Sequence, residues 1–380
     1  MVSFFVSDSP RGATAAVHAP IITAAREGWE ESEFTVFDRC SPEGFPQSIT
    51  NEQVIEDIQH KHGEIFNQYG PAPVNLLDSQ QYETYAIISN TAQKKIILAK
   101  HSSSGEKVVI KIPEVQDADG VKRVFKEYLL QCQAYQALED SACSVAQPLG
   151  LMALKDDRGQ LTFCLVTRFC SYLPGGDGIL TMFQAMKHVV EHPQVSIREF
   201  TGWALDMIKA LQVLQRADIY HNDLSAYNIL LQYYNNTFHP VFTSFGNSSR
   251  QDNHMLIQRG QTSYYNKAEH RSVFTAPELF ETTEIHETSD LYAIGKVLQG
   301  VALQLRMRKL GDYLDVFLRK AAHLRPGHED FHEDLTSHLD SDRPESPAVT
   351  GNNQPIPAQT LALCSNYEQL CIENMIVNEL

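Results

Sequence analysis

Residues 221–231 read HNDLSAYNILL, and TSFGN follows at 243–247. Within and between them, NILLQYY and HPVFTSF are apolar runs too short for helices and split by a polar turn, the pattern of a two-stranded ribbon. On either side, REFTGWALDMIKALQVLQRA (198–217) and SDLYAIGKVLQGVALQL (289–305) space apolar residues three and four apart, which predicts amphipathic helices. Upstream the character changes. YAIIS (85–89), KKIILAKH (94–101) and EKVVIKI (106–112) are short β-type runs, the last two joined by the turn HSSSGE. Helical periodicity follows in VKRVFKEYLLQCQAYQAL (121–138), then strand-like VAQPLGLMAL (145–154) and LTFCLVTRF (161–169), and the turn SYLPGGDGI.

That order predicts an α+β chain of two lobes: a small β-rich lobe with one helix over 81–167, then a larger helical lobe over 168–346. Residues 1–80 read as an N-terminal extension around one amphipathic helix, ITNEQVIEDIQHKHGEIFNQY, capped near Thr50. Residues 347–380 read as a tail whose last part, LALCSNYEQLCIENMIV, has helical spacing and suits docking on the large lobe or on a partner.

The 380 residues carry 47 acidic against 31 basic side chains, a formal charge of −16 with no dense Lys/Arg run, which disfavours nucleic acid and anionic membranes as partners. MVSFFVSDSP has no basic flank and is broken by Ser and Asp, unlike a signal peptide, and no stretch has the ~18 apolar residues a membrane span needs. The seven cysteines (Cys40, Cys132, Cys143, Cys164, Cys170, Cys364, Cys371) form no CxxC pair and sit largely in apolar runs. They read as reduced, mostly buried thiols of a cytoplasmic protein. The fifteen histidines show no HExxH-type spacing.

HNDLSAYN has the form H-x-D-L-x-x-x-N, which serves phosphoryl transfer. An aspartate at the place of Asp223 orients or deprotonates the acceptor hydroxyl, and an asparagine at Asn228 reaches a metal that bridges the phosphates.

With its surroundings this motif resembles the eukaryotic-type protein kinase family, in order over about 84–346. VVIK ends in Lys111, matching the strand lysine that holds the α- and β-phosphates, and Glu127 in FKEYLLQ matches the helix glutamate that pairs with it. TAPE (Ala276, Pro277, Glu278), SDLYAIG (Asp290, Gly295) and DSDRP (Arg343) match structural motifs. The resemblance implies a buried Glu278–Arg343 ion pair and an Asp290 that anchors the catalytic-loop backbone. It makes Asp223, Lys111 and Glu127 the catalytic candidates. Lys111, Thr167, Phe169, Asp177 and Asn228 become candidates for holding a nucleotide, ATP by implication.

The departures fall on the metal and phosphate positions. SNTAQK (89–94) stands where the family has its glycine-rich loop, so Ser89, Thr91 and Lys94 bring side chains where backbone amides should meet phosphates. SFG replaces DFG. Ser244 and Asn228 are then the degenerate metal pair, and a neutral hydroxyl is a poor ligand for Mg²⁺ or Mn²⁺. HND replaces HRD, so Asn222 takes the place of the arginine that gathers a phosphorylated segment, although Thr262, Ser263, Tyr264, Tyr265 and Ser272 supply hydroxyls.

These residues predict a pseudokinase, a protein-interaction or allosteric regulatory module with weak or absent nucleotide binding and transfer. Two alternatives stay open. One is an unconventional active kinase using Lys111, Glu127, Asp223 and Asn228 with an atypical metal site; the other is a small-molecule phosphotransferase or other transferase on the same fold.

Overall fold

The computed structural model describes residues 74–90, 94–113, 118–155, 161–171, 178–191, 193–234, 237–250, 274–281, 285–304 and 307–341. The expected helix after Thr50, the tail helix, Asp177, Arg343, and the segment hydroxyls from Thr262 to Ser272 lie outside them.

The small lobe is built on strands β1 (Leu76–Leu77), β2 (Tyr82–Asn90), β3 (Lys94–His101), β4 (Lys107–Pro113), β6 (Pro148–Lys155) and β7 (Leu161–Arg168), in the order β1-β6-β7-β4-β3-β2. All neighbours are antiparallel except β1 with β6. Because β1 belongs to this sheet, the lobe begins before residue 81, the boundary expected from composition. The close approach is visible at Gly150, where a Cβ would stand 2.4 Å from the Asn75 carbonyl oxygen.

Side chains of a strand alternate between faces, and the register fixes which do what. Val108 and Ile110 of β4 join Ile97, Ala99, Met152, Leu154, Cys164 and Val166 on one face. Lys111, opposite Leu165, takes the other face. There helix α1 (Ala118–Ala137) lays Val124, Phe125, Tyr128 and Leu129 against Leu151, Ala153, Phe163 and Leu165. The three- and four-residue spacing of those apolar positions is what turns one side of α1 to the sheet, with Phe125 and Phe163 edge to face at 5.4 Å.

Between α1 and β6 the chain crosses from one lobe to the other. VAQPLGLMAL is two strands: β5 (Ser144–Val145) pairs parallel with β9 (Thr237–Phe242), and β6 enters the upper sheet. Pro148 lacks the N–H that a continuous ladder needs, and Ala146 turns away to donate to the Phe242 carbonyl at 2.9 Å. The expected ribbon of β8 (Ile229–Tyr234) and β9 is thereby a three-stranded sheet, β5-β9-β8.

The large lobe contains α2 (Met182–Glu191), α3 (Pro193–Arg216), α4 (Pro277–Glu281), α5 (Ser289–Gln304), α6 (Arg308–Arg319) and α7 (His328–Ser341). They share a core that includes Phe200, Trp203, Met207, Leu211, Leu291, Val297, Leu314 and Phe331. Gly295 lets α5 meet α6, since a Cβ there would lie 2.9 Å from Phe317 Cε1. No helix among the described residues is long and apolar enough to cross a membrane.

Candidate active site

Strand parity aims Lys111 at α1, where its Nζ donates to Glu127 Oε1 at 2.9 Å, both side chains being mostly buried. The other Glu127 oxygen faces Gly246 of the SFG turn: a Cβ on that glycine would come within 3.3 Å of Oε2. One carboxylate therefore ties the strand lysine to α1 while α1 sits against the turn that precedes the activation segment.

The HND loop is strapped from below. Asp290, at the start of α5, accepts the backbone N–H of His221 on Oδ2 at 2.7 Å and that of Asn222 on Oδ1 at 2.8 Å. Burial raises the Asp290 carboxyl to about 6, partly opposed by those two hydrogen bonds. His221 is fully buried, and desolvation lowers it to about 4, so its ring is neutral at pH 7. A neutral ring has one donor, and the partners assign it: Nε2–H donates to the Thr243 carbonyl at 2.8 Å while Nδ1 accepts the Asp223 N–H at 3.3 Å. The ring also packs on Phe245, centroids 4.7 Å apart.

Asn222 is left-handed, with φ of 62°, a conformation that asparagine tolerates better than most residues. Its Nδ2 donates to the Asn247 carbonyl at 3.1 Å and to Ser249 Oγ at 2.9 Å. Tyr220 and Ser249 exchange backbone hydrogen bonds, each at 2.9 Å. The stretch after SFG is thus held to the catalytic loop by neutral amide, hydroxyl and backbone contacts at the place where the family has an arginine. Farther along, Arg250 Nη2 donates to Gln133 Oε1 of α1 at 2.6 Å.

Asp223 Oδ2 accepts from Asn247 Nδ2 at 3.0 Å. Asn228 Nδ2 donates to the Asp223 carbonyl at 2.8 Å, and the Asn228 carbonyl accepts the Thr243 N–H at 3.0 Å. These bonds bring Ser244 beside the loop. Ser244 has φ of 68° and ψ of 62° and caps the short turn Phe245–Asn247 without a side-chain cap bond. Left-handed backbone is strained for a serine and easier for Asp or Asn. The turn keeps a shape suited to an aspartate, with a neutral side chain in it.

This donor set does not fit a catalytic Mg²⁺. Asn228 spends its amide nitrogen on the backbone and offers one neutral oxygen, Ser244 offers a hydroxyl, and Asn247 holds one oxygen of Asp223. A hard dication selects anionic oxygens. What remains assembled is the Asp223 carboxylate, held by Asn247, and the Lys111–Glu127 ion pair.

Thr167 is buried and paired with Val109 of β4. Phe169 is buried against Ala86 and Leu98, with Tyr85, Ile88, Val109 and Ile179 around them, on the sheet face that also carries Lys111. Both nucleotide candidates therefore line the roof between the lobes. The hairpin standing for the glycine-rich loop pairs as far as Asn90 with Lys95, with residues 91–93 outside the described set.

Among the described residues Glu278 is bound by Arg325, Nη1 donating to Oε1 at 2.6 Å and Nη2 to Oε2 at 3.0 Å, where the resemblance implied Arg343, which lies outside them. Burial pushes the Glu278 carboxyl up, but the Arg325 and Ser289 hydrogen bonds together outweigh it and hold the group below its ordinary range. HLRP and DSDRP both carry an Arg-Pro dipeptide. Arg325 reaches Glu278 because its short turn, Ala322–Leu324, lies against α5, where Thr288 Oγ1 donates to the Ala322 carbonyl at 3.0 Å. Asn247 is the other residue the motifs did not single out; its only signal was its place directly after SFG.

The protein kinase domain family model matches residues 82–309, from β2 into the start of α6. No curated protein matches the chain. The match spans more than half of the 380 residues and carries the lysine–glutamate pair, the strapped catalytic loop and the SFG turn just described, so the chain belongs to the protein kinase domain family.

Proposed function

We propose that this kinase-like protein is a pseudokinase whose ordered core serves as a protein-interaction or regulatory module. The observation that carries the reading is Ser244: a neutral hydroxyl occupies the left-handed turn beside Asn228, where phosphoryl transfer needs a carboxylate for the metal. The Asn247 amide on Asp223 and the neutral contacts of Asn222 support it, because they join the catalytic loop to the SFG turn through amide, hydroxyl and backbone groups alone. A protein partner is the expected client. Buried Cys143, Cys164 and Cys170, whose thiols desolvation pushes up, suit a reducing cytoplasm.

A second reading, slow transfer by an unconventional kinase, is favoured by one observation: Lys111 and Glu127 are already paired at 2.9 Å, the arrangement that transfer requires. Thermal shift with ATP, with and without Mg²⁺ or Mn²⁺, separates the two. The pseudokinase reading expects no metal-dependent increment, where a ligand at 100 Kd would stabilise by about 2.7 kcal/mol. Metal-dependent stabilisation together with radiolabelled transfer abolished by Asp223→Asn overturns it.

A further inference from the structure

Among the described residues two large apolar side chains stand out in solvent, Val316 at 58% and Leu324 at 61%. Single exposed hydrophobics are ordinary, but these two are neighbours: Val316 begins the last turn of α6, and Leu324 closes the short turn Ala322–Leu324 behind it. The inner side of α6 is already used, with Leu310, Leu314, Phe317 and Leu318 in the core. On the outer side Lys309, Val316 and Lys320 recur at helical spacing along one line, with Asp312 and Arg319 beside them, all exposed. The result is an apolar strip bracketed by cations.

Charge and connectivity select what covers it. Arg308, Lys309, Arg319 and Lys320 stand against Asp312 and Asp315, the last paired with Arg319 at 2.6 Å, so the strip has a surplus of cations in a chain of −16. Its complement is an amphipathic segment with carboxylates and no cations. Residues 361–380, LALCSNYEQLCIENMIVNEL, hold Glu368, Glu373 and Glu379 and no Lys or Arg. Their helical spacing puts Leu363, Tyr367, Leu370 and Cys371 on one face, with Glu368 and Glu373 on either side of it. That segment is also tethered close by. α7 packs on α6 through Phe331 against Phe317, ring centroids 4.2 Å apart, and His338 against Tyr313 at 4.5 Å. α7 ends at Ser341, about one turn past His338, and Tyr313 lies about one turn before Val316. The intervening residues 342–360 span up to about 60 Å when extended, more than this distance requires.

We propose that residues 361–377 dock in cis as an amphipathic helix on the outer strip of α6, with the apolar face over Val316 and Leu324 and with Glu368 and Glu373 against Lys309 and Lys320. A tether of this length holds the segment at a local concentration of about millimolar, so a contact too weak to retain a separate peptide is occupied within one chain. The docked segment covers the two exposed apolar side chains and withholds the basic strip from acidic partners, which must displace it to bind.

The test uses the full chain. Hydrogen exchange read by mass spectrometry is expected to show the amides of 361–377 slowed at least about 10-fold below the rate of an unstructured chain. Zero-length carbodiimide coupling is expected to join Glu368 or Glu373 to Lys309 or Lys320, with a yield that dilution leaves unchanged. Val316→Asp combined with Leu324→Asp alters exposed side chains only and is expected to return the segment to the unstructured rate. Should that variant lose its melting transition, Lys309→Glu with Lys320→Glu decides: protection falls, and Glu368→Lys with Glu373→Lys in that background restores it. Unprotected amides in the native chain, protection that neither pair of substitutions changes, failure of the reversed pair to restore it, or coupling that rises with protein concentration, as docking on a second copy would give, overturns the proposal. None of these outcomes depends on whether the protein transfers phosphate.

Discussion

Replacing Arg325 with alanine tests the correction that the tertiary structure makes to the motif reading. The Arg325 side chain is 1% exposed and that of Glu278 10% exposed, and the two share a bidentate contact at 2.6 and 3.0 Å. The guanidinium also lies over the Tyr292 ring, 4.8 Å from its centroid. In Arg325→Ala the Glu278 carboxylate keeps only the Ser289 hydroxyl, at 2.7 Å, and loses its countercharge. Removing one partner of a buried ion pair costs about 3–5 kcal/mol, and the lost stacking on tyrosine adds about 0.5–1 kcal/mol. Because Glu278 can take up a proton once its partner is gone, the lower end, about 3 kcal/mol, is the expectation near pH 5 and the upper end near pH 8. Urea unfolding followed by tryptophan fluorescence, to which buried Trp203 contributes, reads this as a midpoint about 1–2 M lower at a slope of about 2–3 kcal/mol/M. Glu278→Gln in the Arg325→Ala background recovers part of the loss, since a neutral amide no longer buries a charge. A loss below about 1 kcal/mol, or an equal loss in Arg343→Ala, would refute the assignment.

Ser244→Asp puts a carboxylate into a backbone that already has the left-handed shape, so it is expected to leave the melting temperature within a few degrees and, on the proposed reading, to introduce a Mg²⁺-dependent ATP thermal shift. A variant that folds and shows no such shift would place the nucleotide defect elsewhere in the cleft. Acid should destabilise the fold in a definable window. His221 and His328 are both held near 4, below the ordinary 6.5, so the unfolded chain binds more protons between those values and stability falls as pH drops. Each contributes about 3 kcal/mol over that window, while Asp290, raised from 3.8 to about 6, gives back about 3 kcal/mol as pH falls through it. His328→Gln therefore nearly flattens this part of the stability profile between pH 7 and 4, measured by urea midpoints; an unchanged slope would count against the burial argument. Gly295→Ala drives a methyl to 2.9 Å from the buried Phe317 ring and should cost about 1–3 kcal/mol in the same assay, a smaller effect meaning that α5 and α6 separate easily.

The order of strands and helices, the helical face of α1, and the residues Lys111, Glu127, Asp223, Asn228 and Ser244 were all legible in one dimension. Each depends on local periodicity or on a motif of fixed spacing, and the chemistry of a missing carboxylate at 244 needs no coordinates. Spatial partnership was not legible. Two Arg-Pro dipeptides follow TAPE, and only the turn after α6 shows that Arg325 is the one carried to Glu278. Asn247 has no motif to mark it, yet it meets Asp223 because Asp290, His221 and Thr243 fold the two loops onto each other. VAQPLGLMAL reads as one strand from hydropathy, and its division between two sheets rests on which carbonyls Ala146 and its neighbours find across the lobe boundary. Sequence spacing thus determined which groups are present and which face of their own element they take. The tertiary structure decided which of them meet, because burial forces charges and backbone donors to find partners, here as far as 47 and 69 residues away in the chain.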